Sequence, residues 1–434
     1  MRAQPLIRSL WADLRPGSER GRLVRAAGGS SLIKLGSVLL AFLASLLYAR
    51  ALGPHDYGLY AYVIAWATML TIPASLGLPR YLVREGARHP ANIRGLLHWS
   101  DKRIAWAGAF AALVLASAFF IPAAAEARWL FLIAAPLPLL ANLGALRQSL
   151  LQAQNRVVQS QWAQLLLAPA LMLTALIIIL LWSGRITAME LTALLVGTSV
   201  VPLIINHAQL RKTLEDSHQS HQPTPASIRQ GLTFMWLGML YLINSRTDLI
   251  MLGALQGAES AGVYAVTSRA ADLVAFFLAA SNTVIAPRIA GLYQRGEHAQ
   301  LQRLISGAAM GVFLLTLPIA LIFALFSHQI ITLFYGPAYA AGAVALQILT
   351  LGQLFNVLAG PTATILNMTG HEHLSTAGVG ISVVINVALN TLLIPHFGVE
   401  GAATATATSL ITWNIVLWYW VRNRLQLRPS VLCH

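Results

Sequence analysis

Ala51-Leu52-Gly53-Pro54-His55-Asp56-Tyr57-Gly58-Leu59-Tyr60, followed by a mostly apolar run that closes at Pro79-Arg80, is a passage this chain contains twice. The second copy reads Leu255, Gly257, Glu259 and Gly262-Val263-Tyr264, and its apolar run closes at Pro287-Arg288. Gly53, Gly58 and Tyr60 are repeated by Gly257, Gly262 and Tyr264 at an offset of 204 residues. Each copy is a hydrophobic hairpin: one helix ends, a Gly-containing turn follows, and a membrane-length helix returns to a Pro-Arg boundary. A chain built as two like halves inside a bilayer carries something between them.

Composition places the chain in lipid. Of 434 residues 57% are hydrophobic and 10% charged, with a mean hydropathy of +0.65, which is outside the range of soluble domains. The expected fold is all-α and polytopic. Windows of about nineteen residues, cut at charge and at Pro or Gly clusters, predict helices at 30–50, 58–78, 104–122, 129–151, 160–182 and 190–208. The second half gives 232–253, 262–286, 304–326, 343–367, 374–394 and 400–421. The single cysteine, Cys433, excludes an intramolecular disulfide and argues against a thiolate metal cluster.

A net charge of +14 suggests nucleic acid until its placement is read. Arg2, Arg8, Arg15, Arg20, Arg22 and Arg25 precede the first span, and Arg80, Arg84, Arg88, Arg94, Lys102 and Arg103 follow the second. Arg156, then Arg211, Lys212 and Arg229, then Arg288, Arg295 and Arg303, then Arg422, Arg424 and Arg428 occupy every other connection, while the intervening loops hold little beyond Arg128 and Arg185. This is the positive-inside pattern, and it puts both termini in the cytoplasm. Leu6, Ile7, Leu10, Trp11 and Leu14 fall at helical spacing among the first arginines and suggest an interfacial helix. A signal peptide is disfavoured because the segment lacks an apolar core and a small-residue cleavage site.

The expected organisation is an interfacial segment at 1–29, a six-helix bundle at 30–210, a cytoplasmic linker at 211–230, a second bundle at 231–421 and a tail at 422–434. An even number of spans per half relates the halves by an axis along the membrane normal. Leu151-Gln152-Ala153-Gln154-Asn155-Arg156 after the fourth span matches Leu366-Asn367-Met368-Thr369-Gly370-His371 after the tenth.

Polar stripes run along several helices at the three-four spacing. Ser30, Lys34, Ser37, Ala41, Ser45 and Tyr48 share a face of the first span; Gln353, Asn356, Gly360, Thr364 and Asn367 of the tenth; Ser382, Asn386 and Asn390 of the eleventh. Helix packing explains any one of these, while several together favour a water-filled cavity. Charges within spans are sharper evidence, since each costs on the order of 3 kcal/mol at mid-bilayer. Arg50 and Arg147 lie near helix ends, where a side chain can snorkel. Lys34 lies deeper, and Arg246 and Arg269 deeper still, with Asp248 and Asp272 nearby and Asn244 one turn before Asp248. One reading is a structural ion-pair knot. The other is an anion site in which Lys34, Arg246 and Arg269 hold a diphosphate without metal, with Asp248, Asp272 and Asn244 as ion-pair or coupling groups. Ser37, Ser45, Gln353, Asn356, Asn386 and Asn390 would then line the cavity.

Ala51 to Tyr60 resembles the turn after the first span of polysaccharide-export flippases, O-antigen flippases among them, in the multidrug/oligosaccharidyl-lipid/polysaccharide exporter superfamily. So do Arg246-Thr247-Asp248 through Gly253, Gly262-Val263-Tyr264, Pro287-Arg288-Ile289-Ala290, and Phe397-Gly398-Val399-Glu400-Gly401-Ala402-Ala403-Thr404-Ala405-Thr406. The resemblance implies two six-helix bundles around a central cavity. It also implies alternating-access translocation of undecaprenyl-diphosphate-linked oligosaccharide across the bacterial inner membrane, for O-antigen, lipopolysaccharide or exopolysaccharide synthesis. The partners it implies are that lipid-linked oligosaccharide, membrane lipids, H+ or Na+ as coupling ion, and polymerase or assembly proteins.

Two rivals stand beside this reading. A cation-coupled multidrug antiporter of the same superfamily should carry buried acids and often an Asp in its first span, where this chain has Lys34. A membrane-embedded glycosyltransferase or O-antigen ligase generally needs a large outside loop with catalytic groups, and the longest outside segment, 327–342, holds His328 and no acid. His371-Glu372-His373 has no third ligand nearby and reads as a solvated turn rather than a metal site. The expectation is a flippase rather than an enzyme, with no cofactor, no metal and no nucleic-acid partner.

Overall fold

A computed structural model describes residues 19–122, 125–214 and 225–431. The interfacial segment at Leu6 to Leu14, residues 215–224 of the linker and Cys433 lie outside the described residues. The first half comprises α1 (Glu19–Ser75), α2 (Leu78–Arg88), α3 (Ile93–Ser117), α4 (Arg128–Ala134), α5 (Leu137–Ala153), α6 (Val157–Trp162), α7 (Ala168–Ser183) and α8 (Ala188–Leu214). The second comprises α9 (Pro225–Gln256), α10 (Ala258–Asp272), α11 (Phe276–Gln294), α12 (His298–Leu325), α13 (Ser327–Phe334), α14 (Ala343–Ala359), α15 (Thr362–Met368) and α16 (Glu372–Leu425).

Eight stretches among the described residues are long and apolar enough to cross a bilayer, and α10 with α11 forms a ninth bent by 48°. Two of the eight are double passages: α1 is interrupted at Gly53 (φ 74°, ψ 172°) and α16 at Gly398 (φ 52°, ψ −121°). With those divided and α9 counted, twelve helical passages stand among the described residues, the number that the alternating loops call for. Gly257 has nearly the same torsions as Gly53, φ 87° and ψ 179°. Residues with a Cβ rarely adopt that conformation, so the turn glycine of each copy is where the hairpin reverses.

The packing is asymmetric from end to end. At the end away from the basic loops, the far end, one apolar core joins both halves, from Tyr48, Tyr57, Val63 and Leu130 to Val263, Tyr264, Ile331 and Tyr335. At the basic end each half keeps its own core: Leu78, Leu96, Leu146 and Leu150 in the first, Ile289, Ile305, Leu366 and Leu417 in the second. There the halves meet along one side, where Gly77 (φ +65°) lies against the backbone of Gly231. On the other side α11 bends away and barely touches α1.

Two basic residues assigned to snorkelling do something else. Arg147 is buried and makes a two-pronged ion pair with Asp101, Nη2 to Oδ2 at 2.9 Å, tying α5 to α3 inside the first half. Arg50 reaches across to the second half, donating from Nε to the Phe334 carbonyl at 2.7 Å and from Nη2 to the Leu333 carbonyl. Those carbonyls end α13, where a cation also meets the negative end of the helix dipole. Sequence position told only that a short side-chain reach separated these residues from water; it could not supply a partner 46 or 284 residues away.

Candidate functional site

Gly58 and Gly262 bring the first and second copies of the repeated hairpin together. A Cβ on Gly58 would lie 1.7 Å from the Ala258 carbonyl oxygen, and one on Gly262 would lie 2.0 Å from the Pro54 carbonyl oxygen. Only glycine allows backbones this close. Farther along the same interface the Tyr62 ring lies on Gly253. The repeated motif is therefore the contact between the halves as well as their common plan.

An aromatic seal surrounds this contact. Tyr57 stacks on Tyr60 with centroids 6.2 Å apart, Tyr48 meets Tyr60 edge-on at 6.1 Å, and Phe42 packs edge-on to both Phe334 and Tyr335 at 6.5 Å. The Tyr339 hydroxyl donates to the Ala49 carbonyl at 2.9 Å, and Ser45 lies 3.5 Å from the Tyr335 hydroxyl. Ser45 thus belongs to the seal.

Below the seal lie the charges. Arg246 on α9 and Arg269 and Asp272 at the end of α10 act electrostatically on one another, and both arginines act on Tyr57 of the first half. Arg269 and Asp272 are surface-exposed side chains at the bend of a spanning helix. No ion pair links Arg246 or Arg269 to an acid among the described residues. Arg246 Nε is buried without a partner among the described residues.

Asp248 explains why. Its Oδ2 accepts hydrogen bonds from the Tyr264 hydroxyl and from Thr406 Oγ1 at 2.6 Å, and those two hydroxyls are 2.9 Å apart. Residues two apart on a helix face different ways, so Asp248 turns into the second half while Arg246 does not follow it. The ion-pair knot does not form among these four residues. Asp248 Oδ1 remains buried and unmet, a condition native proteins seldom leave without a use. Tyr264 and Thr406 escaped selection as site residues, though both lie in stretches that carry the family resemblance; a neutral hydroxyl in an apolar helix gives no signal of what it faces.

The other sequence-selected residues are dispersed. Lys34 is exposed on α1 and forms no ion pair among the described residues. Ser37 bonds its own helix at the Lys34 carbonyl. Asn244 accepts from Ser382 at 3.0 Å, joining α9 to α16. Asn386 and Asn390 are buried, bonded to each other at 2.9 Å and, through Asn386, to Ser409 at 3.4 Å. These amides hold the second half together. Gln353 and Asn356 bond each other at 3.3 Å, and Asn356 also accepts from Asn414 at 3.0 Å.

Comparison with known proteins settles the family. The model described as "polysaccharide biosynthesis protein" matches residues 23–293, well over half of the chain. The chain belongs to the polysaccharide biosynthesis protein family. The MatE family model also matches, over residues 237–392. Among curated relatives, a "probable low-salt glycan biosynthesis flippase" of Haloferax volcanii is 30% identical over 173 residues, which are 39% of this chain and 36% of that protein. The matched stretch is thus little more than a third of the relative's length.

Two solved structures show where this polysaccharide biosynthesis protein falls among folds. An inward-facing multidrug resistance MATE family transporter of the MOP superfamily superposes with a TM-score of 0.75 at 15% identity, over 91% of this chain and 98% of that one. The lipid II flippase MurJ, in an inward closed conformation, gives 0.68 at 15% identity, over 91% and 87%. The protein has the all-α, multi-pass fold of that superfamily.

Proposed function

We propose that this protein is a transporter that flips a lipid-linked glycan, and that Arg246 and Arg269 receive its diphosphate. The observation that carries the reading is the pair of guanidinium groups below the far-end seal with no acid among the described residues bonded to either, while Asp248 is held by Tyr264 and Thr406. A guanidinium fork suits phosphate oxygens, and an unpaired cation between two halves of a membrane protein is costly unless it is used. The glycan flippase among the relatives supports the substrate class. In this reading the protein is no enzyme. It lies in the bacterial inner membrane with both termini in the cytoplasm, takes undecaprenyl-diphosphate oligosaccharide from the inner leaflet, and releases it outside for O-antigen or exopolysaccharide assembly.

The arrangement supports a rocking mechanism. A shared core and seal close the far end, and at the basic end separate cores meeting along one side, at Gly77 and Gly231, let each half move about that contact. Binding of the diphosphate neutralises the repulsion between Arg246 and Arg269 and lets the basic end close over it, which in turn strains the far-end seal. Replacing Arg246 or Arg269 with Ala should abolish glycan export and leave protein in the membrane at wild-type level, with lipid-linked oligosaccharide accumulating on the inner leaflet. Full export by both variants overturns the headgroup assignment.

A further inference from the structure

The segment that follows α16 turns back into the second half and builds a basic cavity there. Gln426 ends α16 in a left-handed conformation, φ +56°. Leu427 is buried in the core that joins α11, α12, α15 and α16. The Pro429 carbonyl lies against Gly360, where a Cβ would come within 2.1 Å of its oxygen, and the Val431 amide donates to the Leu358 carbonyl at 3.2 Å. In an unbroken helix the Leu358 carbonyl would accept from the amide of Thr362, but that amide bonds the Gly360 carbonyl at 2.8 Å instead. The returning segment thus supplies the donor that the break in the tenth span leaves out, and its own course is fixed by doing so.

Arg428 stands in the middle of this segment. Gln302 of α12 holds its backbone twice, accepting from the Arg428 amide at 2.8 Å and donating to the Arg428 carbonyl at 2.8 Å. The residue beside Gln302 is Arg303. Both arginines are exposed and form no ion pair among the described residues. They line one cavity of about 890 Å³ with His298, Ser306 and Gln426, and among the described residues no acid lines it. Glu297, next to His298, is taken by Arg295, whose Nε donates to it at 2.5 Å. Every lining residue belongs to α12, to the end of α16 or to the segment after it, so the cavity is not part of the space between the halves.

Two guanidinium groups on one cavity with no acid call for an anion, and their forked donors fit phosphate oxygens. The volume agrees, since small-molecule sites run from about 300 to 1,000 Å³. What the phosphate is attached to follows from the face of α12 that carries Arg303. Leu314, Leu321 and Leu325 continue that face about three, five and six turns farther on, and all three are exposed. A soluble phosphate would use the arginines and none of the apolar face. A phospholipid uses both, with its headgroup in the cavity and its acyl chains along α12. We propose that this cavity holds the phosphate of an anionic phospholipid from the leaflet at the basic end. A lipid seated there ties the segment after α16 to α12 on the outside of the second half's basic-end core. The site depends neither on the cargo nor on the direction of transport, and Arg246 and Arg269 take no part in it.

The test follows the first lipid adduct on the full-length, delipidated protein in detergent by native mass spectrometry, with phosphatidylglycerol and phosphatidylcholine as probes. Wild type should bind phosphatidylglycerol about thirtyfold more tightly, the increment expected of two arginines near a phosphate. Arg303→Gln combined with Arg428→Gln should erase that preference. Arg80→Gln combined with Arg88→Gln removes as much charge from exposed positions at the same end of the first half, and should keep it. All four side chains are exposed, so both double variants should melt as wild type does without lipid, which shows that they fold. Equal binding of the two lipids by wild type, a preference that survives loss of Arg303 and Arg428, or one that falls equally with Arg80 and Arg88 overturns the site. Glycerol phosphate in large excess should not displace the lipid. If it does, the cavity takes a soluble phosphate and the lipid assignment is overturned.

Discussion

Gly58 and Gly262, equivalent residues of the two repeats, lie backbone to backbone across the boundary between the halves. An alanine at either must push the opposite carbonyl away, and overpacking of this kind costs about 1–3 kcal/mol. Gly58→Ala and Gly262→Ala should each lower the melting temperature in detergent and reduce transport. Gly307→Ala should do neither, because that glycine is helical with open space around it. Equal melting temperatures for all three variants would show that the far-end contact does not hold the halves together.

Arg50 joins the same contact from the side. Its bond to the last carbonyls of α13 combines a hydrogen bond with the helix dipole, worth about 0.3–1 kcal/mol at an exposed position. Arg50→Ala should therefore raise far-end opening roughly two- to fivefold. The readout is the labelling rate of a cysteine at Ser45, in a background with Cys433→Ser, by a maleimide that cannot cross the membrane. An unchanged rate would remove Arg50 from the gate.

Asp248 separates charge from hydrogen bonding. Tyr264→Phe and Thr406→Val each remove one donor to its Oδ2 and should destabilise by about 1–3 kcal/mol. Because the two hydroxyls also contact each other, the double variant should depart from additivity by about 0.5–3 kcal/mol. Asp248→Asn keeps an acceptor for both hydroxyls and removes a buried charge, so its melting temperature should equal or exceed that of wild type. Loss of transport at full stability in that variant would mark the charge as functional.

Arg147 and Asp101 should behave as structure alone. Breaking a fully buried pair from one side costs about 3–5 kcal/mol; Asp101 is 31% exposed, so Arg147→Ala should cost less than that and still lower both the amount of protein and its melting temperature. Asp101→Leu combined with Arg147→Leu should recover much of the loss, because neither charge is then stranded. If the double variant is no better than the single one, the pair has a role beyond packing.

The sequence-level reading was strongest where the bilayer itself supplies the rule. Helix length, apolar composition and alternating loop charge follow from the thickness and polarity of the membrane, and every expected span has a helix among the described residues. The turn glycines were legible because φ near +74° or +87° needs that residue. The polar stripes were not, since Asn386 and Asn390 bond within the second half while Ser45 joins the seal, and helical spacing is the same for both fates. Period tells which residues share a face and says nothing of what that face meets.

By itself, then, the sequence determined an all-α chain of two like halves and named the charges that one half has and the other lacks. Arg246, Asp248, Arg269 and Asp272 overlie Phe42, Ala44, Ala65 and Thr68 at the repeat offset of 204. Only the tertiary structure decided what those charges do. Tyr60 of the first repeat joins the far-end seal, while its equivalent Tyr264 takes Asp248 away from the arginines. Partnership depends on which helices stand side by side and how each is rotated, and a local sequence pattern carries neither.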